Sequence, residues 1–286
     1  MADDAEAAAP APAPPTGFSR KSLLWVGGIT LAIWAFAVNT GSMILMIIVG
    51  VLTLILLGVL FWAWRMIKKQ RGMISLLQGA TASADARKGA YDQLSADKDA
   101  GSPMKLFARA QLLAGDDPKG ALKLLEGTEL KKFPAAMQDD VSLLKAQIYL
   151  GSGRTKDARA CADVMNLDNP QRKEIRPLAA AIVAEAWART GKSKEALALI
   201  DTIEYPKKDA EQIMLQARIA KVFAKFAAGQ RQGARTEMVS LADDDLNNLG
   251  RFILPQFHVH PELQKLAEQV MKQHPAARKQ VKTKRQ

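Results

Sequence analysis

A glycine recurs at a fixed interval of 38 residues through the central and C-terminal parts of the chain, at Gly115, Gly153, Gly191 and Gly229. An alanine follows five residues after each of the last three, at Ala158, Ala196 and Ala234; in the first unit the alanine lies one residue later, at Ala121. Seven residues before each glycine stands a small or modest apolar residue, at Ala108, Ala146, Ala184 and Val222. A constant period of this length is typical of stacked supersecondary units.

Each recurring residue of the period has a physical explanation in a helix–turn–helix unit. Glycine adopts the left-handed conformation that ends a helix at the lowest cost. The alanine in the second helix lets the two helices approach closely. Apolar residues at three- and four-residue spacing, such as Ile200 and Ile203, then form a buried stripe. The period therefore predicts an all-α domain of stacked helix pairs over 66–270, with a partial unit at 66–101 and a last amphipathic helix after Pro261 as its cap.

The spacing of Ala146, Gly153, Ala158 and Pro170 resembles the tetratricopeptide repeat, and the resemblance covers about residues 102–245. The period is 38 residues, whereas the family repeat has about 34, which indicates longer loops between units. The resemblance implies an α-solenoid that binds a protein segment on its concave face.

The family's inner positions, transferred to this sequence, place a mixed set of side chains on that face. These peptide-groove candidates are Lys105, Arg109, Leu143, Gln147, Glu185, Gln216, Phe223 and Phe226. The mixture of apolar and charged groups suits an extended or helical protein segment. For Phe223 and Phe226, packing in the core against the C-terminal cap is an equal alternative.

The sequence Gly191-Lys192-Ser193 looks like the end of a phosphate-binding loop, but its context argues against nucleotide binding. Such a loop needs a glycine five residues before its Gly-Lys pair, and that position is Ala186 in a predicted helix. We therefore expect a turn between two helices.

Residues 22–64 contain no charged side chain, and 43 residues are too many for one membrane span, which needs about 20. The polar patch at 39–42 divides the stretch into two predicted spans, about 22–38 and 43–64, within an anchor at 20–65. Basic residues flank both outer ends, at 20–21 and 65–71, which places both ends in the cytoplasm.

The two termini have compositions that do not support a folded core. Residues 1–19 are rich in Ala and Pro, and 271–286 carries six Lys or Arg and no acidic residue. The formal net charge is +11, and the basic tail could contact anionic lipid. Nucleic acid is a weaker candidate, because the tail lacks aromatic side chains that stack on bases.

The chain has few of the side chains that commonly act in catalysis or bind metals, with one cysteine and three histidines. His258 and His260, near Glu262, are the one pair that could share a metal ion, and a further ligand would be needed. We therefore expect no enzyme activity, no cofactor and no metal site.

These features together predict a membrane-anchored scaffold that tethers a protein partner to the bacterial inner membrane, with its repeats in the cytoplasm. The two-span layout before helical repeats resembles the HemY family of bacterial inner-membrane proteins. Two alternatives remain: a structural subunit of a secretion, motility or other envelope complex, and an accessory factor of a membrane-associated enzyme with metal at His258 and His260.

Overall fold

A computed structural model describes residues 83–206 and 210–277, together with 49–59 and isolated positions between 25 and 80. The chain divides into two compact units, Met1–Ser83 and Ala84–Gln286.

In the first unit, residues 49–59 form a helix whose apolar side chains are mostly exposed; Leu54, for example, is 71% exposed. Most of the two predicted spans, 22–38 and 43–64, lies outside the described residues, as do the tails at 1–19 and 278–286. Within the part of the chain that the structure describes, no helix combines the length and the apolar character needed to cross a membrane.

The second unit is a succession of antiparallel helix pairs followed by a cap. The described residues contain no β-strand, which confirms the predicted all-α class for this part of the chain. The helices are α1 (Ala84–Ala96), α2 (Pro103–Leu113), α3 (Pro118–Glu126), α4 (Ala135–Gly151), α5 (Thr155–Asp163), α6 (Arg176–Ala188), α7 (Ser193–Asp201), α8 (Ala210–Ala227), α9 (Arg231–Asp244), α10 (Gly250–Ile253) and α11 (Pro261–Gln273), with short 3₁₀ segments at Leu130–Lys132, Pro170–Arg172, Leu246–Leu249 and Pro255–Phe257. The four pairs are α2–α3, α4–α5, α6–α7 and α8–α9. Residues 246–273, which follow them and include α10 and α11, are termed the cap.

The glycine turns of the last three pairs share one geometry. Gly153, Gly191 and Gly229 have φ of 72°, 92° and 78°, the left-handed region. The amide after each glycine donates to a carbonyl five residues earlier, with N···O distances of 2.9 Å in all three turns. This is the bond that closes a glycine-terminated helix. The 38-residue spacing of these glycines therefore corresponds to the same turn, repeated between the two helices of each pair.

Gly115 departs from this geometry. It is not among the glycines with positive φ, and the turn is closed instead by the Asp117 amide, which donates to Leu113 four residues earlier at 2.7 Å. The physical reason is the extra residue before Ala121, which lengthens the turn. A left-handed conformation at Gly115 was thus a wrong prediction.

The alanine of each second helix is fully enclosed. Ala121, Ala158, Ala196 and Ala234 are all 0% exposed, and the small residues of the first helices, Ala108, Ala146, Ala184 and Val222, are at most 1% exposed. Burial of small side chains at both positions brings the two helices of a pair close together. Larger side chains there would force the pair apart, at a cost of typically 1–3 kcal/mol.

Helix α6 lies between the two main cores of the stack. Six of its thirteen residues are buried alanines, which let neighbouring helices approach it closely. Ile182 and Val183 contribute to the core of the first three pairs. Ala184 and Ala188 contribute to the core that joins the third and fourth pairs to α11.

Polar bonds between successive pairs repeat with the same period. The Tyr149 hydroxyl donates to Glu126 at 2.6 Å, and the indole nitrogen of Trp187, 38 residues later, donates to Asp163 at 2.9 Å. Burial, reinforced by the bond to Glu126, raises the pKa of Tyr149, so the hydroxyl remains a donor. Each aromatic side chain thus joins the first helix of its pair to the second helix of the pair before it.

We predict that replacing Gly191 by alanine (Gly191→Ala) lowers the free energy of unfolding by about 1 kcal/mol, because a Cβ is strained at positive φ. A Cβ would meet no atom within 4 Å at Gly191 or at Gly115. Gly115→Ala is therefore the matched control and should be neutral or slightly stabilising. Urea unfolding followed by circular dichroism measures both, and equal losses in the two variants would contradict the prediction.

Candidate partner-binding face

The first helices of the four pairs form one side of the stack, termed here the inner face. It is defined by four residues at equivalent positions, each directly after the buried small residue of its helix: Arg109, Gln147, Glu185 and Phe223. This face corresponds to the concave surface implied by the tetratricopeptide resemblance. It holds the predicted groove candidates.

At the N-terminal end of the inner face, basic side chains are engaged by α1 and the segment after it. Lys105 pairs with Asp97 at 2.6 Å. Arg109 donates to the Tyr91 hydroxyl at 3.2 Å, and its guanidinium lies 5.1 Å from the centre of that ring. In the second pair, Leu143 is buried and Gln147 is half-buried. Gln147 therefore lies between the N-terminal end of the inner face, which α1 contacts, and the C-terminal end described next.

At the C-terminal end, Glu185 is completely buried and lies at the centre of a polar cluster. Arg189, one turn further along α6, is 3.1 Å from one carboxylate oxygen. Arg251 of α10 contacts both oxygens, at 3.0 and 3.2 Å, and the Gln216 amide of α8 donates at 2.7 Å. The carboxylate therefore links two pairs of the stack to the cap.

The cluster keeps Glu185 ionised in spite of its burial. Burial by itself raises the pKa of a carboxyl group. The guanidinium groups of Arg251 and Arg189 and the amide of Gln216 outweigh that effect, and they hold the pKa of Glu185 below its usual value. The cluster contains two positive charges and one negative charge.

The C-terminal segment lies against this end of the inner face. Phe252, fully buried, packs on Phe223 with ring centres 5.2 Å apart. Phe226 lies 5.7 Å from the ring of His260. For both phenylalanines the structure thus has the alternative arrangement, packing against the cap.

We term residues 254–260 the strap, because they connect two buried anchors, Phe252 and Leu263, across the inner face. The Phe257 carbonyl accepts a bond from Arg189, and the Phe257 ring lies 4.6 Å from the Arg251 guanidinium. The next residue, His258, has φ of 46°, an unusual value for a residue with a side chain.

The strap reaches as far as the turn of the second pair. A Cβ built on Gly153 would lie 2.1 Å from Nδ1 of His258, so the imidazole occupies the space that a side chain at Gly153 would need. Glycine at this position therefore serves both the turn and the strap.

The structure changes the predicted groove at its centre. Leu143, Glu185 and Phe223 are buried, so they do not line an open surface in this conformation. Gln216 contacts Glu185 and belongs to the same cluster. Leu143 packs in the core of the first pairs, and residues of the strap and the cap, distant in sequence, pack on Glu185 and Phe223.

The chemically reactive side chains do not converge. His258 faces Gly153, whereas His260 accepts from the Glu262 amide at 3.3 Å and Glu262 pairs with Arg231. Among the described residues, no three His, Cys, Asp or Glu side chains come together as a ligand set for a metal ion. Burial raises the pKa of the Cys161 thiol, which keeps it protonated.

Lys192, in the sequence that resembles a phosphate loop, lies over the Trp187 ring at 5.6 Å. The Gly191 turn joins α6 directly to α7, and Ala186 is buried within α6. The residues therefore have the helix–turn–helix arrangement that their spacing predicted.

Sequence reasoning missed three residues that shape the inner face: Arg189, Arg251 and Phe257. Arg189 was detectable in principle, since it follows Glu185 by four residues on one helix, the spacing of a helical ion pair. Arg251 and Phe257 are more than 60 residues from Glu185, and no local pattern relates them to it.

A family model described as a tetratricopeptide repeat matches residues 112–182, about a quarter of the chain. The match begins in α2 and ends in α6, so it contains the whole second pair. No curated protein and no solved structure showed a significant match. The described stack is TPR-like, and repeats of this family generally mediate protein–protein interactions.

We predict that Glu185→Gln lowers the free energy of unfolding by about 3 kcal/mol, because it leaves the buried guanidinium of Arg189 and the partly buried guanidinium of Arg251 without a counter-charge. Glu195→Gln, at an exposed position of α7, should change it by less than about 0.5 kcal/mol. Urea unfolding at neutral pH compares the two variants. If Glu185→Gln lowers the free energy of unfolding no more than Glu195→Gln does, the cluster does not have the importance assigned to it.

The same cluster predicts an acid-dependent part of the stability. Because the folded-state pKa of Glu185 lies below its ordinary value of 4.5, its contribution is complete above 4.5 and is lost as the pH falls through the folded-state value. The difference in unfolding free energy between wild type and Glu185→Gln should therefore shrink below pH 4.5. A difference that stays constant from neutral to acidic pH would show that Glu185 does not titrate this way.

Proposed function

We propose that this chain is a non-enzymatic, membrane-anchored adaptor that binds a segment of a partner protein on its inner face. The TPR-like stack supplies the binding surface, and residues 22–64 supply the anchor. Binding at the membrane raises the local concentration of the partner for other proteins held there.

The observation that carries this proposal is the strap on the inner face. Arg189 binds a backbone carbonyl of the strap, and Arg251 lies against one of its aromatic rings. A surface that holds one stretch of polypeptide through backbone and side-chain contacts has the chemistry to hold another. This is the mode of recognition expected of a TPR-like array.

The anchor rests on two features of the N-terminal region. Residues 22–64 are free of charge, and the described helix at 49–59 exposes apolar side chains over most of its surface. A contiguous exposed apolar surface of this kind needs a partner, and a bilayer is one. We place the anchor in the bacterial inner membrane with the repeats in the cytoplasm, the layout that resembles the HemY family.

The basic tail supports the same location. Its Lys and Arg side chains would each contribute on the order of 1 kcal/mol close to an anionic lipid surface. Its role in this proposal is secondary to that of the anchor.

We predict that the full chain stays with the membrane fraction after alkaline carbonate extraction and that a chain lacking 22–64 moves to the soluble fraction. Extraction of the full chain by carbonate would refute the anchor. A third form, with 22–64 replaced by an unrelated two-span hairpin, should return to the membrane.

Partner binding is tested in the same cells with a photo-crosslinking amino acid at Gln147 on the inner face, and at Thr236, an exposed residue of α9, as the control. We expect a discrete crosslinked protein from position 147 alone, with lower yield when 22–64 is deleted. Crosslinks from both positions, or from 236 alone, would contradict binding at the inner face. Loss of the crosslink in the hairpin replacement would favour the alternative in which the spans themselves assemble with other subunits.

A further inference from the structure

The polar cluster beneath the strap is incompletely satisfied. Two guanidinium groups, Arg189 and Arg251, share the single carboxylate of Glu185. Nε of Arg251 is buried and has no hydrogen-bond partner among the described residues. The strap offers these cations a neutral carbonyl and an aromatic ring, and no acidic side chain. A ligand that satisfied this donor would gain a hydrogen bond that the strap does not make.

The strap is also lightly attached over most of its length. Five of its seven residues are exposed: Leu254, Pro255, Gln256, His258 and His260. Phe257 and Val259 are half-buried, and Val259 packs against the core of the third and fourth pairs. His258 adopts a left-handed conformation, which a residue with a side chain takes only at a cost. The core residues on either side of the strap, Phe252 and Leu263, are 0% and 1% exposed and hold its two ends in place. We expect that lifting 254–260 uncovers the cluster while Phe252 and Leu263 stay buried, at the cost of the N-cap that His260 gives α11.

From these observations we infer that the inner face at Arg189 and Arg251 is a recognition site for an acidic–aromatic segment, and that the strap occupies this site in the free protein. The segment places an aromatic ring on Arg251, as Phe257 does now, and presents a backbone carbonyl to Arg189. An Asp or Glu beside the ring supplies the negative charge that the cluster lacks. This inference rests on the proposed adaptor function, and it specifies both the partner's chemistry and the competition that regulates access.

The test uses the full chain in detergent micelles and three fluorescein-labelled peptides, with binding measured by fluorescence anisotropy. The neutral peptide has the sequence of residues 253–261. The acidic–aromatic peptide carries Gln256→Glu and His258→Glu, one acid on each side of the ring. The third peptide adds Phe257→Ala to the acidic one and controls for non-specific attraction to a basic protein.

The protein variants separate competition by the strap from recognition by the cluster. Phe257→Ala removes the strap's ring from Arg251, and Leu254→Ala is the matched control, an exposed residue of the same strap. Arg189→Gln removes a proposed ligand contact. Circular dichroism and thermal unfolding establish that each variant is folded.

We expect Phe257→Ala to bind the acidic–aromatic peptide at least about tenfold more tightly than wild type, the gain expected if the site is free in less than about a tenth of wild-type molecules. Leu254→Ala should bind like wild type. The neutral peptide should bind more weakly than the acidic one, and the peptide without the ring should not bind. Adding the acidic–aromatic peptide to wild type should speed hydrogen exchange of the amides in 254–260.

Equal affinity of wild type and Phe257→Ala, or equal binding of the peptides with and without the ring, would overturn the inference. If Arg189→Gln does not fold, the comparison of the three peptides on Phe257→Ala decides the question alone. Failure here leaves the proposed function separately testable, because a crosslink at Gln147 reports partner binding whatever the partner's chemistry.

Discussion

The completely buried carboxylate of Glu185 imposes a requirement that the C-terminal part of the stack is arranged to meet. An ionised carboxylate without a counter-charge is very costly in a protein interior. Arg189 comes from the same helix, and Arg251 comes from the cap, 66 residues further along the chain. Each guanidinium group is in turn held by aromatic side chains, Phe223 and Phe257 respectively. The ion pairs join the third pair to the cap, and the fourth pair is attached to them by the Gln216 hydrogen bond and the Phe223 ring.

This arrangement has a direct functional consequence, because it places a stretch of the chain where a TPR-like array would hold a partner. The cap is commonly a means of closing the open end of a helical stack. Here it also extends the strap back across the inner face to Gly153 of the second pair. In the function proposed above, stability and binding use the same surface, and the inferred partner segment competes with part of the protein's own fold. The lightly attached strap, bounded by Phe252 and Leu263, makes that competition physically accessible.

Sequence analysis succeeded where the relevant interactions are local and repeated. The turns at Gly153, Gly191 and Gly229 follow from one backbone requirement, and the enclosed Ala158, Ala196 and Ala234 follow from one packing requirement. It failed at Gly115, where an inserted residue changed the turn. It also placed Glu185 on an open groove, since the family position that identifies this residue carries no information about Arg251 and Phe257, which are more than 60 residues away. For Phe223 it left both a groove position and packing against the cap open, and the structure has the second.

The sequence by itself determined that this chain is an array of α-helical pairs, and it identified the uncharged stretch at 22–64. Both conclusions depend on periodicity and composition, which short-range steric and solvation effects convert into local structure. Only the tertiary structure decided that Arg251 and Phe257 meet Glu185 and Arg189, and that the strap occupies the inner face. Contacts between residues so distant along the chain depend on how the cap folds back on the stack, and no local pattern encodes that path.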